Sequence, residues 1–423
     1  MVDREGIGQP RRLVDRRRNW CRTDQGVRQR RYQTVAGSVS VIPARDRADA
    51  ASHDPLDALP APRTRAQDGS TPGGSTPFFA TLDGLRGIAA LAVVTTHYKS
   101  MLAGWSFASA YLAVDLFFIV SGIVIEYAYG NRLAHGLQPG RFMAVRLLRL
   151  MPLYVIGQAI GVTVVLLALI AGQSNWTLGG LLPVALLGVL MIPNFLPAPR
   201  SDLFPLDVPC WSLFWELFIN LAYAALLRGL SNRTLVIVFV VAQALLAFAA
   251  THLGSIDFGS EWYHAEIGAL RVTAGFTLGV LIARLHRRRQ PLRAWLPAPL
   301  VLALAAMVLA LPVSYGWAKD LLATTLAFPL LCLAALAHQP RAIRVYALLG
   351  TLSYPLYIVH ATLPIERVTM LLTGRDAAAF APALGIVAMI SACVLALLLA
   401  RFYDQPLRRR LGSTLRRDRI AAL

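Results

Sequence analysis

From Phe78 onward, apolar runs of about 20 residues follow one another almost to the end of the chain, and a run of that length is what an α-helix needs to cross a hydrocarbon core about 30 Å thick. Eleven such segments lie at 79–99, 109–129, 151–171, 178–196, 210–229, 233–252, 264–286, 294–314, 318–338, 343–362 and 380–402. With 56% hydrophobic and only 15% charged residues, the chain departs from soluble composition in both respects. This excludes a disordered chain, a fibrous repeat and an ordinary soluble enzyme as the main body. The expected fold is all-α, a polytopic transmembrane helical bundle of residues 78–410.

Charge then orients the bundle. Lys and Arg number 41 against 23 Asp and Glu, a formal +18. The arginines sit in short loops and in the tails, which is the positive-inside pattern, so the excess does not call for a nucleic-acid partner. Arg132–Arg149, Arg228–Arg233, Arg284–Arg293, Arg341–Arg344 and the tail from Arg408 are expected on the cytoplasmic side. An even number of crossings must separate Arg149 from Arg228, yet three candidates lie between them. The segment 178–196, broken by Gly179, Gly180, Pro183 and Pro193, is the weakest and is expected to be re-entrant or interfacial. About 10 membrane-spanning helices remain, with both termini cytoplasmic in a multi-pass inner (plasma) membrane protein.

The ends are different material. Residues 1–77 are rich in Arg, Asp, Ser, Pro and Gly and are expected to be a disordered basic tail without the apolar core of a signal peptide. Residues 411–423 form a short basic C-terminal tail. Cys21, Cys210, Cys332 and Cys393 are far apart, so neither a disulfide framework nor a metal site is expected. There is no fixed-period repeat and no clear inverted pair of interrupted helices.

Several polar residues are not explained by membrane physics. The first segment, LDGLRGIAALAVVTTHY, carries Asp83, Arg86 and His97. Arg86 and His97 are eleven positions apart, about 16 Å along a helix and close to three full turns, so the two share a face. Arg86 is expected near the cytoplasmic end and His97 near the outer end. Each has an ordinary reading too: Arg86 paired with Asp83 at i, i+3, and His97 as an interfacial histidine. The second segment, YLAVDLFFIVSGIVIEYAY, places Asp115 near the level of His97, where a carboxylate could orient the imidazole, and adds Ser121. In RFMAVRLLRLMPLY, Arg146 and Arg149 share a helical face with Arg141 nearby; such guanidinium forks suit phosphate, or serve as ordinary cytoplasmic anchors. In CWSLFWELFINLAY, Trp211 and Trp215 fit an outer aromatic belt, whereas Glu216 requires a partner. LSYPLYIVH supplies Ser353 and Tyr354, and His360, which is expected near the outer side.

Taken together and in order, LDGLRGIAALAVVTTHY, AVDLFFIVSGIVI, RLLRLMPLY, WSLFWELF, LSYPLYIVHATLP and FYDQP resemble the acyltransferase-3 family of integral membrane acyltransferases over about residues 79–410. The spacing from Arg86 to His97 resembles the family's Arg-x10-His motif, and Arg146 with Arg149 its Arg-x-x-Arg motif. Asp404, Gln405 and Pro406 stand where the family usually has Glu before Pro. The resemblance implies an O-acyltransferase moving an acyl group, often acetyl, from cytoplasmic acyl-CoA to a hydroxyl of a glycan, lipid-linked sugar or secondary metabolite. It implies no bound cofactor, with acyl-CoA as co-substrate, and a stand-alone member without an SGNH-type domain. The catalytic set it implies is His97 and Arg86, joined by Asp115. Arg146, Arg149 and Arg141 fall on the donor side, with Asp83, Ser121, Glu216, Ser353, Tyr354 and His360 in support. A transporter or flippase would use the same intramembrane charges as a substrate path without consuming a donor; a scaffold would tolerate loss of Arg86 and His97 together.

Overall fold

The computed structural model describes residues 79–288 and 295–411. The tails expected at 1–77 and beyond Leu411 lie outside the described residues, as does Cys21. Among the described residues the chain is helical throughout, with one isolated antiparallel bridge, Asp202 to Glu261, and no strand.

The helices are α1 (Ala80–His97), α2 (Ala110–Ala134), α3 (Pro139–Ile170), α4 (Leu178–Val189), α5 (Cys210–Ala225), α6 (Asn232–Leu253), α7 (Ala265–Arg288), α8 (Ala298–Ala310), α9 (Val313–Ala337), α10 (Ile343–Val359), α11 (Ile365–Thr373) and α12 (Ala383–Leu411). Among the described residues six of these, α2, α3, α6, α7, α9 and α12, are long and apolar enough to cross a membrane. A total of ten crossings additionally needs α1, α5, α8 and α10, which have 18, 16, 13 and 17 residues. Each of the eleven apolar segments has a helical counterpart. The short amphipathic α11 is not among them, since nine residues make no apolar run.

α4 has 12 residues, about 18 Å of helix, short of a core about 30 Å thick. Its far end docks on the middle of α3: the Tyr154 hydroxyl donates to the Gly188 carbonyl, and Gly188 packs on the Gln158 side chain.

Burial separates an inner layer from a lipid-facing ring. The apolar window of α2 is 72% buried within the protein, against 22% for α6 and 28% for α12. α2 packs closely on α7 because Gly122 and Gly279 lie in the crossing, where a Cβ on either would collide with the Phe276 or Ile119 carbonyl of the other helix. With no hydrophobic drive between helices in lipid, such close approach supplies the packing. α1 and α10 run parallel: Gly84 meets Tyr346 and Asp83 meets Gly350 at one end, while His97 meets His360 at the other.

Candidate active site

At its N-terminal end α1 carries Asp83 and Arg86 as an ion pair at 3.6 Å. Beside it, α3 presents Arg146, whose Nη2 donates to Glu216 of α5 at 2.7 Å; the same carboxylate oxygen accepts from Ser121 of α2 at 2.8 Å. One glutamate thus ties three helices together, answering the demand for a partner made by its apolar setting. Arg149, one turn further along α3, bears electrostatically on Arg86, Arg146, Asp404 and Arg408, and among the described residues no ion pair is made to it. Arg408 pairs with Asp404 on α12. Tyr354 donates to the Leu150 carbonyl at 2.5 Å and closes the space between α10 and α3. Arg141 is exposed at the start of α3. Four guanidiniums from three helices therefore converge with three carboxylates, an arrangement able to hold an anion.

At the other end of α1, His97 is exposed and His360 wholly buried, with ring centroids 4.8 Å apart and planes at 71°. The Tyr98 hydroxyl donates to the His360 carbonyl at 3.1 Å and fixes the ends of α1 and α10 to each other. His360 Nδ1 stands 3.0 Å from the Leu356 carbonyl. A carbonyl only accepts, so Nδ1 carries the hydrogen and Nε2 is left with a lone pair, buried and unpartnered. Arg200, held by Asp202 at 2.6 Å, bears on His97 from the loop before α5. A neutral imidazole in this position is equipped to accept a proton.

Some expected placements do not occur. Asp115 does not orient His97: Arg271 Nη2 and Nε donate to its two oxygens at 2.7 and 3.1 Å, and the remaining donors of Arg271 reach the Tyr111 and Phe258 carbonyls. A carboxylate at that depth takes the one full guanidinium within reach rather than an imidazole, and the sequence does not reveal that α7 lies beside α2. Glu216 is likewise committed to Arg146. The Ser353 hydroxyl donates back to the Gly350 carbonyl, a local helix bond. Trp211 faces the protein interior rather than lipid, with the Arg271 guanidinium carbon 5.4 Å from its ring centroid.

Three features escape sequence reasoning: the partner that Arg271, a readable charge in the apolar run 264–286 beside Glu266, finds in Asp115; the Asp404–Arg408 pair; and Glu126. The last accepts from Tyr223 and pairs with Arg284 and Arg287 at 3.4 and 3.2 Å, bracing α2 against α7. The i, i+4 spacing of Asp404 and Arg408 is a readable signal for the second; nothing local marks the others. Among the described residues, no three or more His, Cys, Asp or Glu side chains gather as metal ligands.

The helical bundle carries an arginine cluster and a histidine pair at opposite ends of one helix. Residues 79–401 match the family model of an acyltransferase domain, and the chain belongs to the acyltransferase-3 family, multi-pass membrane enzymes that transfer acyl groups. It is 38% identical over 182 residues to "Protein 2 in picA locus" of Rhizobium radiobacter, covering 41% of this chain and 94% of that protein. No solved structure matches it.

Proposed function

We propose that this chain is an acyl-CoA-dependent O-acyltransferase of the plasma membrane, moving an acyl group, most simply acetyl, to a hydroxyl of a glycan or other hydroxylated acceptor. The observation that carries this reading is the division of α1. Arg86 joins the arginine cluster at one end, and His97 meets His360 about 16 Å away at the other. A donor with a phosphate-rich head, an extended arm and a terminal thioester has the same division of chemistry.

The phosphates engage Arg86, Arg146 and Arg149, with Arg141 further out. The arm runs along α1 and brings the thioester carbonyl to His97. The acceptor hydroxyl gives its proton to His97 as its oxygen attacks that carbonyl. The C–S bond then breaks, and the imidazolium protonates the departing thiolate. The alternative with an acyl group carried transiently on His97 uses the same groups in two steps. His360 holds the His97 ring, its own orientation fixed by the Leu356 carbonyl. Asp115 and Arg271 serve as a brace, outside the chemistry. The exposed Arg200 and the loop before α5 face the acceptor.

Sided proteoliposomes test this reading. Membrane-impermeant acetyl-CoA offered on the face carrying the arginine cluster should be consumed, and offered on the other face should not. Equal movement of a labelled substrate without donor consumption would establish transport instead.

A further inference from the structure

The arginine cluster has a fourth member whose surroundings differ from the other three. Arg408 lies one helical turn past Asp404 and pairs with it. The stretch Leu399–Asp404 that leads into this pair is wound as a π-helix within α12. A π turn inserts extra backbone and re-aims the side chains that follow, and such turns concentrate at functional sites. Here the side chains re-aimed are Asp404 and Arg408, and Arg149 of α3 bears on both.

The charge count within the cluster is uneven. Arg86, Arg146 and Arg408 each have one carboxylate, from Asp83, Glu216 and Asp404 respectively. Arg149 has no ion pair among the described residues, so the group of seven carries one positive charge in excess. Two of its atoms are buried without any hydrogen-bond partner: Nε of Arg146, a donor, and Oδ1 of Asp404, an acceptor. A buried N–H of a guanidinium left unmade is costly, and it marks a place for an acceptor the protein does not itself supply. Access differs across the Arg408 pair. The Arg408 side chain is 23% exposed, whereas Asp404 is 2% exposed. The guanidinium is thus reachable from outside while its counter-ion is not.

We propose that Arg408 is the fourth ligand of an anion seat formed with Arg86, Arg146 and Arg149, taking a phosphate or pyrophosphate group, and that Asp404 is the internal counter-ion that holds Arg408 until that group arrives. The Asp404 carboxylate pairs with Arg408 and is also attracted to Arg149, which offsets the repulsion between the two guanidiniums. An incoming phosphate takes over the neutralisation with bidentate geometry that one carboxylate serving one arginine does not match. The inference rests on the acyl-CoA reading only in naming the occupant; the anion seat itself does not depend on it.

The test is calorimetric titration of the full-length protein in nanodiscs with CoA and, separately, with inorganic pyrophosphate. Arg408→Gln should weaken binding of both by about tenfold or more, and should flatten the dependence of Kd on salt, which a purely structural role would not move. Asp404→Asn should tighten binding of both, because Arg408 is then released from its internal partner. Wild-type affinity and salt dependence in Arg408→Gln would overturn the proposal. Should that variant not fold, Asp404→Asn decides: tighter binding supports the seat, and unchanged or weaker binding overturns it. Wild-type protein that binds pyrophosphate but not CoA would sink the acyl-CoA reading and leave the seat standing.

Discussion

The imidazoles of His97 and His360 meet edge to face at a centroid separation of 4.8 Å, one open to the outside and the other sealed within the bundle. The two rings come from opposite ends of the sequence and meet because α1 and α10 run parallel and in contact along their length. The sealed ring is anchored by Leu356 and keeps a free lone pair. His360→Phe keeps the volume and the ring contact while removing both nitrogens. It should lower turnover on the order of 10²-fold with CoA affinity unchanged. Steady-state kinetics beside calorimetry on the same preparation separate the two quantities. Loss of CoA binding along with turnover would place His360 in the donor site instead.

The buried Asp115–Arg271 pair makes an opposite kind of prediction. Removing one partner leaves an uncompensated charge at the α2–α7 crossing, so Asp115→Ala should destabilise the protein by about 3–5 kcal/mol. Replacing both residues together, as Asp115→Leu with Arg271→Met, should recover much of the folded yield. Denaturant titration in mixed micelles reads both variants. A well-folded Asp115→Ala protein without turnover would return Asp115 to the catalytic set.

Gly279 tests the same crossing through its backbone. A methyl group there collides with the Ile119 carbonyl, which belongs to a helix and cannot step aside cheaply. Gly279→Ala should cost about 1–3 kcal/mol and lower the melting temperature. An unchanged melting temperature would mean that α2 and α7 do not meet closely at Gly279.

Asp207, in the loop before α5, gives a pH dependence. Burial pushes its carboxyl up to about 7, against a lesser opposing effect of the Cys210 thiol that donates to it at 3.0 Å. Because its folded value lies above the unfolded one, the native state holds the proton more tightly. Its contribution to stability is therefore present at low pH and lost as pH rises toward and through 7. Asp207→Asn should melt increasingly above wild type from about pH 4 to pH 7, the difference levelling off above that. A pH-independent difference between the two would show that Asp207 does not titrate in that range.

Much of this arrangement is legible in the amino-acid sequence alone. The apolar runs locate the helices, and the weakest of them, 178–196, forms the short α4. The spacing from Arg86 to His97 puts two chemistries at two depths of one helix. What a single sequence expresses is depth and facing along one helix; it does not express which helix stands next to it. Asp115 is at the right depth for His97, yet its neighbour is α7, brought in by Gly122 and Gly279. Glu216 evidently needs a cation, but Arg146 lies 70 residues away in the chain. Arg408 reads as one more cytoplasmic anchor because the π turn that re-aims it has no local signature.

In the proposed reaction this chain breaks an acyl thioester with His97 as the proton-accepting group. Release of free thiol from acetyl-, propionyl- and succinyl-CoA by the purified protein in nanodiscs, with His97→Ala in parallel, tests it most directly. Wild type should release thiol and His97→Ala almost none, with CoA binding retained in both. Equal release by the two proteins, or the absence of both release and CoA binding in wild type, would contradict it.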